Sequence, residues 1–259
     1  MKLVDTHCHL YLDDFKEDSP EVIRRAIDDG VEKFYLPNID LAVIPDMLSL
    51  ESAYPGQCLA MMGLHPCSVK ANYKEELAVM REWLDKRKFA AIGEVGLDFF
   101  WDTSFEKEQY EAFHSQADWA LQFELPLVIH SRKSLDECIT LVGEHQDGTL
   151  TGIFHCFSGS VEQAERIIDL GFYLGIGGVV TYKNGGLDPV IQKIGLEKVV
   201  LETDAPYLTP VPFRGKRNEP AYLKYVVEKL AVITGKNVED VAEITTKNAE
   251  RVFGFLTAK

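Results

Sequence analysis

Leu3-Val4-Asp5-Thr6-His7-Cys8-His9 opens the chain with a short β-like run that ends on two histidines. The i, i+2 spacing places both imidazoles on one face of a strand, aimed at a common point, and turns Cys8 to the other face. The same pattern then recurs. Leu3–Thr6, Lys33–Leu36, Leu59–Gly63, Ala90–Gly93, Leu127–Ile129, Gly152–Phe154, Tyr173–Ile176 and Val199–Glu202 all read as strands rich in β-branched and other apolar residues. His7, Asn38, His65, Glu94, His130, His155, Gly177 and Asp204 fall at or just past their C-terminal ends.

Between these runs lie amphipathic stretches with helix punctuation. Ser19-Pro20 supplies an N-cap followed by proline, and Gly30 closes that helix. Thr103-x-x-Glu106, Ser134-x-x-Glu137 and Ser160-x-x-Gln163 have capping-box spacing, and Gly171 ends the helix that the last of them begins. Strand starts recur about every 30 residues, the span of one βαβ unit. Eightfold β/α alternation predicts a TIM-type (β/α)₈ barrel, a single domain over residues 1–259. A doubly wound open sheet is the competing arrangement. It would hold its outer strand ends too far apart to share one site, whereas a closed barrel collects all of them on one rim. From Pro220 onward the sequence predicts helices over Tyr222–Ile233, Val238–Lys247 and Ala249–Phe253 that close the barrel.

Composition narrows the setting. The chain has 259 residues, ample for a large core, with 41 acidic against 27 basic side chains and a formal net charge of −14. A field of that sign repels nucleic acid, so any phosphate-bearing substrate must be drawn in by cations and local arginines. No apolar run reaches membrane-spanning length, and the N-terminus enters a strand without a signal-peptide pattern. The five cysteines (Cys8, Cys58, Cys67, Cys138, Cys156) show no CxxC spacing, which fits reduced thiols and a cytoplasmic location. Cys8 and Cys156 adjoin the histidines but read as buried structural thiols.

The strand-end residues carry the chemistry. His7 and His9 form one imidazole pair, and His130 and His155, at the ends of strands five and six, form a second. Glu94 follows an apolar run, where a buried carboxylate is expensive unless paired or coordinated, and its two oxygens can bridge two cations. Asp204 can ligate one ion and accept a proton from an attacking water. Six such ligands exceed what one zinc takes, which predicts two divalent ions roughly 3.5–4 Å apart. Imidazole mixed with carboxylate suits Zn, Mn, Co or Fe(II), while Mg tolerates the carboxylates better than four histidines. Glu202, Asp5 and Asp98 read equally as orienting partners of these ligands or as satisfied core groups.

Arg132, two residues past His130, and Arg214, in the loop after the eighth strand, are candidate phosphate-binding residues, and His65 is a candidate hydrogen-bonding residue for substrate. Lys216 and Arg217 read as solvated loop charges. Gly175-Ile176-Gly177-Gly178 would let backbone approach a ligand closely. His114 and His145 receive no role.

Taken in order, His7-x-His9, Ile92-Gly93-Glu94-Val95-Gly96-Leu97-Asp98, His130-Ser131-Arg132, His155-Cys156-Phe157, Glu202-Thr203-Asp204-Ala205-Pro206-Tyr207-Leu208 and Arg214-Gly-Lys-x-Asn218-x-Pro220 resemble the TatD-type metal-dependent deoxyribonucleases, over essentially the whole chain. That resemblance implies an amidohydrolase-like TIM barrel in which His7, His9, Glu94, His130, His155 and Asp204 bind divalent metal and Asp204 accepts the proton. It further implies hydrolysis of DNA, often 3′→5′ from single strands of DNA or RNA. Val95 departs from the family pattern, where a small hydroxylated residue is frequent, and Glu94 stands where many amidohydrolase relatives carry a modified lysine.

The sequence therefore predicts a two-metal phosphodiesterase with DNA, or RNA, as its substrate partner and no membrane partner. The alternative keeps the metal site and changes the bond, to a cyclic amide, an ester or a phosphotriester. A non-enzymatic metal-binding role leaves the arginines on the same rim without a purpose. The sequence sets no oligomeric state, and a monomer is compatible with it.

Overall fold

The computed structural model describes residues 1–254. Strands and helices alternate along the chain as β1 (Leu3–Asp5), α1 (Ser19–Asp28), β2 (Val31–Leu36), α2 (Ile44–Ala53), β3 (Cys58–Ala60), α3 (Tyr73–Lys86), β4 (Ile92–Asp98), α4 (Glu106–Phe123), β5 (Leu127–Arg132), α5 (Leu135–His145), β6 (Gly152–Phe154), α6 (Val161–Asp169), β7 (Tyr173–Ile176), α7 (Leu187–Ile194) and β8 (Val199–Leu201), with α8 (Leu223–Thr234) and α9 (Val238–Phe253) following. Neighbouring strands pair in parallel, in the order β1-β2-β3 and β4-β5-β6-β7-β8. Backbone hydrogen bonds carry the ring across both gaps. Ala90 N donates to Ala60 O at 2.9 Å and Gly93 N to Met62 O at 3.0 Å, while Thr6 N donates to Leu201 O and Asp204 N to His7 O, both at 2.9 Å. The eight strands thus form the expected TIM-type barrel.

The interior shows how one alternation both fills the barrel and builds its mouth. Val4, Tyr35, Met61, Ala91, Val128, Ile153, Tyr173 and Val200, one from each strand or its immediate flank, pack together as a core separate from the larger one between strands and helices. Side chains two apart share a face. On β5 the inward series therefore runs Val128 to His130, on β6 from Ile153 to His155, and past β8 from Val200 through Glu202 to Asp204. The period that buries apolar side chains at the floor delivers polar ones to the C-terminal rim.

The last helix seals the opposite end. Phe253 stacks on Tyr35 with ring centroids 3.7 Å apart, and Val252 joins the same inner core. Asn248 fixes the helix by donating to Leu196 O and Val199 O at 2.7 and 2.8 Å, satisfying carbonyls beside β8. Phe253→Ala should cost about 3 kcal/mol through lost burial and the cavity left behind. Urea unfolding checks this, and a loss under about 1 kcal/mol, the range of a volume-conserving core swap, would show that α9 does not plug the floor.

Several boundaries differ from the sequence-based expectation. β4 spans Ile92–Asp98 where Ala90–Gly93 was expected, and β5 continues through His130 to Arg132. The apolar run ends at Gly93, but Glu94, Asp98 and His130 satisfy one another, so the β4–β5 ladder continues to the Asp98–Arg132 pair. Glu94 and His130 accordingly lie within their strands and not beyond them. Expected as two pieces, α9 is one helix, because Asn248 points its amide at the barrel and does not break the turn. Of the three capping boxes only Ser160–Gln163 forms. Ser134 instead donates its hydroxyl to Leu97 O at 2.6 Å and accepts from Arg132 N, tying the loop after β5 to β4, and α4 begins after Phe105 with no side-chain cap, Thr103 contributing only its carbonyl to Glu106 N.

Candidate metal centre

Glu94 occupies the middle of the barrel mouth, 2% exposed, and its two oxygens face different partners. Oε2 lies 3.2 Å from His7 Nε2 and 3.7 Å from His9 Nε2. Oε1 lies 2.9 Å from His130 Nδ1, 3.2 Å from His155 Nε2 and 3.5 Å from His65 Nε2. Asp204 Oδ1 completes the first side, 3.5 Å from His9 Nε2 and 3.9 Å from His7 Nε2. Backbone pairing fixes the carboxylate in this position, since Asn38 N donates to Gly93 O and Glu94 N to Asn38 O, both at 3.1 Å. All six ligands read from the sequence therefore converge.

Two imidazoles, His9 and His130, hold their outward nitrogen in a hydrogen bond, and His155 turns its outward nitrogen toward a carboxylate; each points its other nitrogen inward. Tyr11 donates its hydroxyl to Pro37 O and so accepts from His9 Nδ1 at 2.9 Å, leaving the Nε2 lone pair toward Asp204 and Glu94. His155 Nδ1 is 3.3 Å from Glu202 Oε1, which also accepts from Cys156 N. His130 Nε2 is 2.9 Å from Asp98 Oδ2. Such partners fix the tautomer and raise the basicity of a ligating ring. His65 is wired differently, because its Nδ1 accepts from Cys67 N at 3.0 Å. The neutral ring then carries its proton on Nε2, the nitrogen facing Glu94, which suits donation to an oxygen.

Charge balance in this buried site is tight. Burial would raise the Glu94 carboxyl, yet His7, His155, His65 and the His130 hydrogen bond hold it well below the ordinary carboxylate range. Burial opposes protonation of His155 and His130, but their carboxylate partners outweigh it and push both up. His7 goes down, chiefly by burial and then by its stacked neighbour His155 at 3.7 Å. Ligand atoms of His7, His155 and Asp204, of His7, His9 and Glu94, and of His65, Glu94 and His130 each fall within 4.8 Å of one another. Buried imidazoles alternating with carboxylates, the rings giving up their protons as a cation binds, are the donor set divalent cations take.

The model of the family described as "TatD related DNase" matches residues 4–254. YabD of Bacillus subtilis, an uncharacterized metal-dependent hydrolase, is 39% identical over 252 residues, covering 97% of this chain and 98% of that protein. The chain belongs to the TatD-related DNase family. It is a metal-dependent hydrolase acting on ester bonds. The crystal structure of YjjV, a TatD homologue from Escherichia coli K12, superposes with a TM-score of 0.91 at 30% identity, covering 97% of this chain and 98% of that one. A Salmonella typhimurium protein named 3′-5′ ssDNA/RNA exonuclease TatD is 33% identical over 259 residues, with 97% of this chain and 98% of its own length matched.

The rest of the family motifs act mainly as scaffolding. In the Glu202-Thr203-Asp204 segment, Asp5 accepts from Thr203 N at 3.0 Å and from its hydroxyl at 2.5 Å, and Asn218 donates to Thr203 O and Tyr207 O at 2.8 and 2.7 Å. These bonds hold Asp204 at φ 56°, a left-handed conformation that costs L-residues roughly 1–2 kcal/mol. Gly175 does not face a ligand as its sequence suggested. A Cβ there would sit 2.2 Å from Glu202 Oε2, so the glycine makes room for the carboxylate that orients His155. Val95, the departure from the family pattern, packs in the outer core and does not reach the site.

The arginines stand apart from the cluster. Arg132 is exposed, with its guanidinium carbon 4.0 Å from the Phe100 ring centroid, and Arg214 is exposed over Tyr182 at 4.4 Å. Arg217 pairs with Asp18 at 2.6 Å and Lys216 is exposed, in keeping with loop roles. Cys8 is buried with its thiol toward Tyr35 O, facing away from the histidines as expected, whereas Cys156 is only partly buried. The one orienting residue without a sequence reading is Tyr11, whose signal was its place two residues past His9.

Proposed function

We propose that this chain hydrolyses phosphodiester bonds of DNA from the 3′ end, preferring single strands, with two divalent ions held by His7, His9, Glu94, His130, His155 and Asp204. The observation that carries the reading is the division of labour at Glu94, one oxygen toward His7 and His9 and the other toward His130 and His155. Bound there, such ions (Zn, Mn or Mg) supply Lewis-acid stabilisation of charge on a phosphoryl oxygen. The Salmonella relative named as a single-strand exonuclease supports the choice of substrate.

The chain's own residues do the remainder. Asp204 takes the proton from the attacking water, its carboxylate being ionised because His9, His155 and His7 outweigh burial. His65 offers its Nε2 proton to a substrate oxygen. Arg132 and Arg214 neutralise phosphate at a mouth otherwise embedded in a chain of net charge −14. That field disfavours a long duplex and leaves a single-stranded end as the better substrate. The free cysteines fit a reducing cytoplasm, and no helix among the described residues is long and apolar enough to cross a membrane.

Digestion of 3′- and 5′-labelled oligonucleotides with Mg, Mn and Zn tests the proposal. Stepwise loss from the 3′ end, faster on single strands than on blunt duplex, is expected. Faster cleavage of stable duplex, or turnover only of lactones and dihydropyrimidines, would overturn it.

A further inference from the structure

Among the described residues, the exposed aromatic side chains are Phe100 (43%), Trp101 (68%) and Tyr207 (51%), and all of them lie on loops at the barrel mouth. Leaving an indole in water forgoes the burial that shapes the rest of this chain. The two loops leave β4 and β8, four strands apart in either direction around the ring. Tyr207 sits with its ring centroid 6.2 Å from that of His9.

The β4 loop is bound directly to the metal-ligand cluster. Asp98 Oδ1 accepts from Phe100 N at 2.9 Å and Trp101 N at 3.1 Å, while Oδ2 bonds His130 Nε2. Phe99 N donates to Arg132 O, and Asp102 is clamped by Lys70 at 2.7 Å. The rings are therefore preorganised. Over them lie cations, with the Arg132 guanidinium carbon 4.0 Å from Phe100 and 5.1 Å from Trp101, and Lys133 Nζ 5.0 Å from Phe100. Neither cation forms an ion pair among the described residues, in a chain with 41 acidic side chains. Exposed rings interleaved with uncompensated cations are what unpaired bases and their phosphates bind.

We propose that Trp101 and Phe100, with Arg132 across their rings, form a stacking subsite for a nucleobase of the substrate strand. Arg132 lies two residues beyond His130, about 6.6 Å along the strand. Successive bases of a stacked strand rise about 3.4 Å along its axis, so the base received is one or two nucleotides from the bond cut. This subsite deepens the nuclease reading and rests on it, and its test can be separated from it.

The test compares a single-stranded oligonucleotide with the same strand made abasic near its 3′ end, using wild type, Trp101→Ala and Phe100→Ala/Trp101→Ala. Wild type should show a KM about 10-fold lower on the base-bearing strand, the order expected for one stacked base. That ratio should fall toward one in the variants and be largely restored by Trp101→Phe. Trp101 emission gives a readout independent of turnover, with quenching by the base-bearing strand that is lost in Trp101→Ala and absent with the abasic strand. A ratio retained in the variants together with unquenched emission would overturn the subsite and leave the nuclease reading intact. If wild type cleaves no oligonucleotide, the nuclease reading falls and quenching alone decides, its absence again overturning the subsite.

Discussion

Glu94→Gln should strip the protein of at least one of the two proposed metal ions and reduce hydrolysis by about 10³-fold or more, the loss that several kcal/mol of metal stabilisation represents. Glutamine keeps the shape of the side chain but offers only one acceptor atom. Whichever way the amide turns, an NH₂ group faces either His7 and His9 or His130 and His155, now 3.2–3.7 Å or 2.9–3.2 Å from the carboxylate oxygens. One lobe of the site thereby loses its bridging anion and gains a donor pointing at the cation. Metal analysis of the purified variant alongside its turnover number checks the prediction. Two ions per chain and near-normal turnover would mean that Glu94 is only a buried counter-charge for the imidazoles.

Asp204→Asn should leave the fold in place while slowing hydrolysis by about 10²–10⁴-fold, the range for loss of a positioned proton acceptor. Asparagine tolerates the left-handed backbone as well as aspartate does, and the Thr203 and Asn218 bonds that hold the segment do not involve the Asp204 side chain. Unfolding midpoint and hydrolysis rate measured on the same preparation separate the two effects. Near-normal rates in a folded variant would remove Asp204 from the proton transfer.

Glu94 and Asp204 were legible in the sequence, and the reason is geometric. In a closed parallel barrel, position along a strand reports position in the site, so a polar residue ending an apolar run is placed on the rim by the alternation of the strand alone. His130 and His155 follow Val128 and Ile153 by two and arrive where expected. What the sequence left open was decided by contacts between distant segments. Glu202 and Asp98 could have been satisfied core groups until His155 and His130 were seen beside them. Tyr11 depends on Pro37 O, and Gly175 on the carboxylate of Glu202, neither of which a local pattern encodes. The β4 boundary was misplaced because strand signals weigh apolar residues, and this strand continues through Glu94 and Asp98, which both bond His130 of β5. Phe100 and Trp101 drew no reading from the sequence, and it is the Asp98 side chain that pins their backbone so that the rings stay exposed at the mouth.

The proposed chemistry rests on one carboxylate bridging two cations at the barrel mouth. Anomalous difference maps from crystals grown with Mn or Zn, collected at the absorption edge, test it most directly. Two peaks about 3.5–4 Å apart are expected, one on either side of the Glu94 carboxylate, against His7, His9 and Asp204 on one side and His130 and His155 on the other. A single peak away from Glu94, or none at the mouth after soaking, would contradict it.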